Sequence, residues 1–409
     1  MANYRKEHVL IGAGKLGRGY LADLFNAAGY ELIFLEYSDV LVKKMKEQGY
    51  YTLFRSREDG SGTDEIKISG YQAYCTETER EKCVEVLSKA NTASVHTYSD
   101  GFQAIGYLLA DAIKKRVAEG NDETLDVLIS VNFLNPDVVF RNYILERLST
   151  QAEKDYFEKN IGLIQTLPYR GGYPSTSEML AADPISVAAT DYPELPVDME
   201  AFKGPIPEGV PFLLLDRMSD RLNCKLWTAN VRGAILAACG KKCGLTLIEE
   251  ANADPNIYKC AILGQKEAVF AAMNHFHFTP EEFHKGSRKQ NENGKPRKET
   301  SDTLDRQLFG LKRKLGRTDR LVGPALACLE SRRIPFFLSK ALALALEYDN
   351  PADPDSVEVC AYVKENGPGK ALEKYCGLDP KKEPDDILYQ MVLANYYERA
   401  DVDPQKIQY

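Results

Sequence analysis

A lysine and an asparagine interrupt an otherwise apolar stretch, CKLWTANVRGAILAACG, at residues 224–240. Because a buried lysine without a partner costs several kcal/mol, we interpret Lys225 as a residue with a chemical use. In a dry pocket its pKa would fall towards neutrality, so that it could accept a proton from a hydroxyl group and return it. The amide of Asn230 could hold an oxygen atom that gains negative charge. Alternatively, the stem of Lys225 covers apolar surface at a helix start and Asn230 is satisfied within the core.

Three glycines near the N-terminus form a second chemical signature, in the stretch HVLIGAGKLGRGY. Gly12, Gly14 and Gly17 fit G-x-G-x-x-G between a predicted strand and a predicted helix, a pattern that gives a tight turn and lets a pyrophosphate approach the backbone. Glu36 ends the next predicted strand about 20 residues on, where a carboxylate can bind the ribose hydroxyls of NAD and repel the 2′-phosphate of NADP. The motif therefore predicts an NAD site. Glycines that only shape a turn are the alternative.

Two basic residues, Lys15 and Arg18, flank the third glycine and are predicted to contact the same cofactor. The N-terminus of the predicted helix supplies N–H donors and a favourable dipole to phosphate groups at this point. For Arg18 the alternative is a position on the surface. For Glu36 it is an exposed carboxylate at the end of a strand.

The elements that carry these residues follow from the apolar pattern of the chain. From residue 8 to about residue 165, short β-rich runs alternate with helical patterns, which predicts βαβ units and a mostly parallel sheet with helices on both faces. A β-rich continuation runs to about residue 190. Beyond FKGPIPEGVP, residues 202–211, the pattern is helical almost throughout, so a linker is expected there. We predict an α/β Rossmann-type domain over residues 1–205 and a mostly α-helical domain over residues 206–409.

In the helical half, LWTANVRGAILAACG and DTLDRQLFGLKRKL are each expected to form one helix. On one helix Lys225 and Asn230 would lie about 140° apart, so they could share a pocket only with the lysine at the helix mouth. The polar and basic segment HKGSRKQNENGKPRKET, residues 284–300, is expected to be a solvated loop. A lid that carries cations to an anionic substrate is the alternative.

The overall composition limits the classes of partner. The chain has 409 residues, 44% of them hydrophobic and 27% charged, which is typical of a soluble protein with large cores. Its formal charge of −8 disfavours non-specific binding to nucleic acid or to anionic membranes, so a small diffusible partner is expected. The N-terminus lacks signal-peptide features and the nine cysteines are scattered, so we expect a cytoplasmic location, reduced thiols and no metal site. The oligomeric state stays open.

The stretch KLWTANVRG, residues 225–233, resembles the K-x-x-x-x-N-x-x-H motif of the polyol-specific long-chain dehydrogenases, the mannitol dehydrogenase family. Other stretches resemble that family in the same order along the chain: VLIGAGKLGRGYLADLFNAAGYELIFLEY, AFKGPIP and RTDRLVGPALACLES. The resemblance implies a Rossmann domain, a helical domain, and NAD-dependent interconversion of a secondary alcohol and a ketone on an open-chain sugar alcohol or its phosphate. It implies that Lys225 is the acid/base and that Asn230 and Asn132 hold the reacting oxygen. Asn135 is the rival of Asn132.

One departure from the family is Gly233, which stands where the motif has histidine. Loss of one donor to a developing oxyanion typically costs about 10²–10³ in rate, which is a minor part of the catalysis that most enzymes supply. Three outcomes follow. Water or another donor replaces the imidazole, or Arg232 does so with a preference for an anionic substrate, or the protein binds a dinucleotide without performing chemistry.

The basic run RQLFGLKRKLGRTDR, residues 306–320, resembles the R-x-P-L-R-K-L region of the family. Arg313 and Lys314 are predicted to bind an anionic group of the substrate, a phosphate or a carboxylate, and a solvated helix face is the alternative. A carboxylate would make the substrate a hexuronate such as fructuronate or tagaturonate. A 3-hydroxyacid or 6-phosphogluconate-type dehydrogenase is disfavoured by F-K-G-x-I-P and D-R-L-x-x-P.

Overall fold

The computed structural model describes residues 6–57, 59–133, 135–286 and 302–401, without the side chains of 286 and 398–401. The chain folds into two compact units, one up to Ser219 and one from Asp220 onward. The predicted boundary at residue 205 stays a prediction. Most of the basic segment lies outside the described residues, and so does the prediction of a loop or lid there. Within the described ranges, every helix is too short or too polar to cross a membrane.

The first unit contains all the strands of the described ranges. In chain order they are β1 (Glu7–Ile11), β2 (Glu31–Glu36), β3 (Tyr50–Ser56), β4 (Thr63–Ser69), β5 (Gln72–Cys75), β6 (Thr92–Val95), β7 (Leu125–Ile129), β8 (Ile161–Gln165), β9 (Gly172–Tyr173), β10 (Val187–Thr190), β11 (Leu195–Asp198) and β12 (Phe212–Leu215). Its helices are a π-helical turn (Gly17–Leu21), α1 (Ala22–Ala27), α2 (Asp39–Gln48), α3 (Arg80–Lys89), a 3-10 turn (Ser99–Gly101), α4 (Phe102–Ala118), α5 (Pro136–Arg147), α6 (Gln151–Asn160) and α7 (Ser177–Ala182).

A parallel sheet of six strands, in the order β5-β2-β1-β6-β7-β8, forms the centre of this unit. Apolar side chains pack on both of its faces in two separate clusters. The strand order reverses at β1, so a crevice is expected beyond the carboxyl ends of β1 and β6, where ligands of such sheets bind. The predicted Rossmann-type architecture is confirmed.

A second, mixed sheet in the order β4-β3-β10-β9 lies against the π-helical turn. The sequence stretch EIKISGYQAY is not one strand, because it divides at Gly70, whose φ of 74° turns the chain between β4 and β5. At Gly19 in the π-helical turn, an added Cβ would lie 3.3 Å from the Cβ of Ala189, which shows how closely this sheet packs. The second sheet therefore supports the segment that follows the three glycines.

The second unit is helical, as predicted. Its helices are α8 (Met218–Thr228), which holds the boundary between the units, α9 (Asn230–Lys242), α10 (Ile248–Ala253), α11 (Pro255–His275), α12 (Pro280–Gly286), α13 (Leu304–Leu308), α14 (Leu311–Lys314), α15 (Val322–Glu330), α16 (Phe336–Ala345), α17 (Pro354–Cys376) and α18 (Asp385–Asp401). Helix α9 is buried over most of its length and packs against α10, α11, α13 and α16. It is therefore the central helix of this unit.

The expected single helix over residues 302–315 is wrong, because it divides into α13 and α14 at Gly310. Gly310 has a φ of 75°, which is a left-handed conformation that ends a helix. The Asp353 carboxylate accepts hydrogen bonds from the backbone N–H groups of Gly310, at 2.9 Å, and Leu311, at 3.3 Å. The break therefore has its own capping group.

Arg116 on α4 fixes the end of the sheet opposite to the glycine motif. Its fully buried guanidinium donates hydrogen bonds to the Tyr156 hydroxyl and to five backbone carbonyl groups, those of Leu87, Ser88, Ala90, Glu123 and Thr124. These carbonyls belong to the segments that directly precede β6 and β7, so one side chain fixes the start of both strands.

We expect the substitution Arg116→Met to lower the free energy of unfolding by at least about 3 kcal/mol, because it leaves buried carbonyl groups without donors. Urea unfolding followed by circular dichroism measures the change. The control is Lys115→Met, which removes an exposed ion pair with Glu119 and should cost less than about 0.5 kcal/mol. Equal losses in the two variants would contradict this role of Arg116.

Candidate functional site

The glycine motif forms a turn between β1 and the π-helical turn, and each glycine has a separate physical reason. At Gly12, whose φ is 100°, an added Cβ would lie 2.2 Å from the carbonyl oxygen of His96. At Gly17 it would lie 2.2 Å from the carbonyl oxygen of Gly12. At Gly14 an added Cβ would meet no atom within 4 Å among the described residues. Gly12 and Gly17 therefore shape the turn, and Gly14 leaves the backbone open to a ligand.

Glu36 lies next to this turn, as predicted from its position at the end of β2. Its buried carboxylate accepts hydrogen bonds from the backbone N–H of Ala13 at 2.6 Å and of Ser38 at 3.0 Å. A carboxylate offers about four acceptor positions. Two remain for a ligand beside the turn, so Glu36 is not merely an exposed carboxylate at a strand end.

The two basic residues of the motif differ in their surroundings. Arg18 is buried and donates from Nε to the carbonyl oxygen of Ala13 at 2.5 Å and from Nη1 to that of Ile185. Burial lowers the pKa of this guanidinium, which also lies over the ring of Tyr51. Arg18 is thus not a surface residue, and it fixes the turn from the protein side. Lys15 is exposed.

His96, which the sequence interpretation missed, follows β6 and contacts the same turn. Its Nδ1 lies 3.2 Å from the carbonyl oxygen of Gly12, so Nδ1 carries the proton that this hydrogen bond needs. Its buried Nε2 has no hydrogen-bond partner in the described parts of the chain. Burial lowers the pKa of His96 to about 4. The sequence offered one signal, a histidine directly after the apolar start of the run ASVHTYS.

Asn132 lies beyond the end of β7, at the same carboxyl edge of the sheet as the glycine turn, and it is exposed. Its rival Asn135 has a φ of 46° and stands at the N-cap of α5. Asparagine tolerates this left-handed conformation better than most residues. The backbone at position 135 therefore favours asparagine, and the choice between Asn132 and Asn135 for binding an oxygen stays a prediction.

Lys225 and Asn230 lie on two helices rather than one, so the expectation of a continuous helix is wrong. α8 ends at Thr228 and α9 begins at Asn230. The side chain of Gln265 on α11 donates a hydrogen bond at 2.8 Å to the Thr228 carbonyl at this break. Lys225 is half-buried in the last turn before this break, and Asn230 is half-buried directly after it. The two motif residues therefore flank a helix junction that Gln265 fixes.

The amide of Asn230 has no hydrogen-bond partner in the parts of the chain that the structure describes, so it is available to a ligand. The neighbouring Arg232 is engaged, since it donates to Oδ1 of Asn252 at 2.8 Å and lies over the ring of Tyr258. Its role in substrate binding stays a prediction. Gly233 lies against the side chain of Gln307 on α13.

Arg313 and Lys314 lie in a cationic cluster that also contains Arg320. Lys314 is buried, and its Nζ donates to the carbonyl oxygen of Gln307 at 2.7 Å; burial and then the charges of Arg320 and Arg313 lower its pKa to about 7. Arg320 is buried against Asp319, and its Nη2 has no partner among the described residues. Arg313 is half-exposed and lies 3.7 Å from Asp319. Arg313, Arg320 and the charged form of Lys314 face the carboxylates of Asp319 and Asp353, so the cluster keeps an excess of positive charge that favours an anionic ligand.

Comparisons with known proteins show what the chain is similar to. Residues 6–208 match the family model described as the mannitol dehydrogenase Rossmann domain. The chain is 26% identical to mannitol-1-phosphate 5-dehydrogenase of Bacillus licheniformis, over 94% of this chain and 98% of that protein. It is 27% identical to the protein of the same name from Geobacillus stearothermophilus, over 91% of this chain and 95% of that one.

Two solved structures share the fold. The ternary complex of Pseudomonas fluorescens mannitol 2-dehydrogenase with NAD and D-mannitol gives a TM-score of 0.74 at 13% identity, over 98% of this chain and 93% of that chain. A substrate-free D-sorbitol dehydrogenase gives 0.72 at 14% identity, over 97% and 94%. At these identities the likeness supports the fold of each unit. It does not assign a role to any residue of this chain.

The buried His96 leads to a pH-dependent stability. The unfolded chain protonates this histidine below its ordinary pKa of 6.5, whereas the folded chain keeps it neutral down to about 4, so stability is lost as the pH falls through this window. We expect His96→Gln to remove about 2 kcal/mol of the loss between about pH 7.5 and about pH 5. Urea unfolding at the two pH values measures it. His275→Gln, a change at a half-exposed histidine, is the control, and an unaltered pH dependence in His96→Gln would refute the assignment.

Proposed function

The chain belongs to the mannitol dehydrogenase family, and on this basis we propose that it is an NAD-dependent dehydrogenase that interconverts a secondary alcohol and a ketone on an open-chain sugar alcohol or its phosphate. The observation that carries the proposal is the helix junction with Lys225 on one side and the available amide of Asn230 on the other. The mannitol-1-phosphate 5-dehydrogenases that match most of the chain favour a phosphorylated substrate.

The residues of the glycine turn fit NAD. The open backbone at Gly14 leaves room for a pyrophosphate, with Gly12, Lys15 and Gly17 around it. The remaining acceptor positions of Glu36 suit the ribose hydroxyls, and its charge disfavours a 2′-phosphate. When bound, NAD accepts a hydride in oxidation and NADH delivers one in reduction.

The reaction also moves a proton, and we assign that step to Lys225. In oxidation, the neutral amine of Lys225 takes the proton from the substrate hydroxyl while hydride leaves the same carbon. In reduction, the ammonium returns the proton to the oxygen. Asn230 donates an amide N–H group to that oxygen, which polarises the carbonyl in one direction and holds the alcohol in the other. The same role for Asn132 stays what the family resemblance implies.

The cationic cluster supports an anionic substrate. We assign the phosphate of a sugar phosphate to Arg313, whose guanidinium is half-exposed, with Lys314 adding positive charge from within. Arg232 is the second candidate contact. A hexuronate would present a carboxylate to the same residues, so it competes with the sugar phosphate as a substrate class.

NADH consumption with fructose 6-phosphate, fructose, fructuronate and tagaturonate tests the proposal. We expect turnover with the phosphate as the best substrate, and a loss of about 10²–10⁴ in kcat for Lys225→Ala with NADH affinity kept. Lys242→Ala, at an exposed ion pair with Glu347 in the same unit, is the control. NADH binding without turnover of any substrate would favour a dinucleotide-binding protein without chemistry, and full activity of Lys225→Ala would reject the proton-transfer role.

The assignment of Arg313 predicts a change that depends on the substrate. We expect Arg313→Ala to raise KM for fructose 6-phosphate about 10-fold or more, because a charged hydrogen bond to the phosphate is lost. KM for unphosphorylated fructose should stay the same. The control is Arg332→Ala in the same unit, which leaves the cluster intact. An equal rise of KM for both sugars in Arg313→Ala would mean that the arginine does not recognise the phosphate.

A further inference from the structure

We propose that Gln307 occupies the space of the missing motif histidine next to Gly233 and accepts a hydrogen bond from a substrate hydroxyl, an inference that rests on the proposed function. Gln307 lies 74 residues beyond Gly233 in the chain and on a different helix, so the sequence motif does not include it. Its side chain nevertheless fills the space that a side chain at position 233 would need.

The close packing of α13 on α9 places Gln307 there. An added Cβ at Gly233 would lie 2.4 Å from Oε1 and 3.1 Å from Cδ of Gln307. Two turns later on α9, an added Cβ at Gly240 would lie 2.6 Å from Cδ1 of Leu304. Leu304 is on the same helix α13, three residues before Gln307. The two glycines, seven residues apart, lie on one face of α9. Gly233 and Gly240 thus let α13 pack closely against α9. The glycine at position 233 therefore has a packing role of its own.

Gln307 is held at both its backbone and its side chain. Its carbonyl oxygen accepts a hydrogen bond from the buried ammonium of Lys314 at 2.7 Å. Its Nε2 donates to Oδ2 of Asp302 at 2.8 Å. Because a carboxylate can only accept, this contact fixes which end of the amide faces Asp302 and leaves Oε1 facing Gly233. The amide is therefore oriented before a ligand binds.

The end of this amide that faces Gly233 is an acceptor, which decides what it can recognise. Oε1 can accept a hydrogen bond from a hydroxyl group, but it cannot donate one to an oxygen that gains negative charge. The carbonyl is polarised by Asn230, three residues before Gly233 on α9 and hence on the same face. Gln307 then binds a hydroxyl on a carbon next to the reacting carbon. It acts as a specificity residue for polyols with neighbouring hydroxyl groups.

Three variants test this role. Gln307→Met keeps the size of the side chain and removes the acceptor, and we expect KM for the best ketose to rise about 3- to 10-fold with little change in kcat. The deoxy analogues of that ketose that lack a hydroxyl next to the carbonyl identify the contact. One of them should be a poor substrate for the unmodified protein and equally poor for Gln307→Met. Gln103→Met, the same change at an exposed glutamine of α4, is the control.

The other two variants test the geometry without relying on activity. Gly233→His alone should lower the melting temperature, because the imidazole collides with Gln307, and it should not raise turnover. Gly233→His combined with Gln307→Ala should recover both the melting temperature and part of the turnover. A rise of turnover in Gly233→His alone, or an unchanged KM in Gln307→Met, would overturn the inference while the function stands. Absence of turnover by the unmodified protein on every substrate would instead overturn the proposed function.

Discussion

Close approach at glycine is the constraint on which both halves of the candidate machinery depend. In the first unit, the carbonyl oxygen of His96 occupies the space that a side chain at Gly12 would need, and the carbonyl of Gly12 does the same at Gly17. A methyl group at either position would push β1 away from β6 or the turn away from its helix. The opening at Gly14 lies within the turn that these two close approaches shape. Cofactor recognition is thus a consequence of steric exclusion at two positions.

The second unit uses the same device between helices. An added Cβ at Gly323 would lie 2.7 Å from the indole of Trp227, whose Nε1 donates to the carbonyl of Thr318. This contact brings the D-R-L-x-x-P landmark against α8, directly before the junction with Lys225. Gly240 likewise lets α13 pack closely against α9. Contacts at glycine therefore hold the elements on both sides of α9, and the motif residues lie on the helices that these contacts fix.

The sequence predicted the parts of this arrangement that depend on local pattern. Alternating β and helical runs indicated the parallel sheet, and the spacing of Gly12, Gly14 and Glu36 indicated a site at its carboxyl edge. The interruption of the helix after Thr228 was not predicted, and the contact found there comes from Gln265, 37 residues away on another helix. Gln307 was missed for the same reason. Patterns of 2 and 3.6 residues describe the faces of an element, and they do not tell which distant side chain reaches it.

The charge state of Lys314 connects the cationic cluster to the amide of Gln307. Two backbone carbonyls, those of Arg306 and Gln307, accept hydrogen bonds from its ammonium without neutralising it, and burial lowers its pKa to about 7. An anion bound by Arg313 would favour the charged form and raise that pKa. The charged form keeps the hydrogen bond to the Gln307 carbonyl strong. A phosphate on the substrate would in this way hold the Gln307 backbone in place, whereas an uncharged sugar would not.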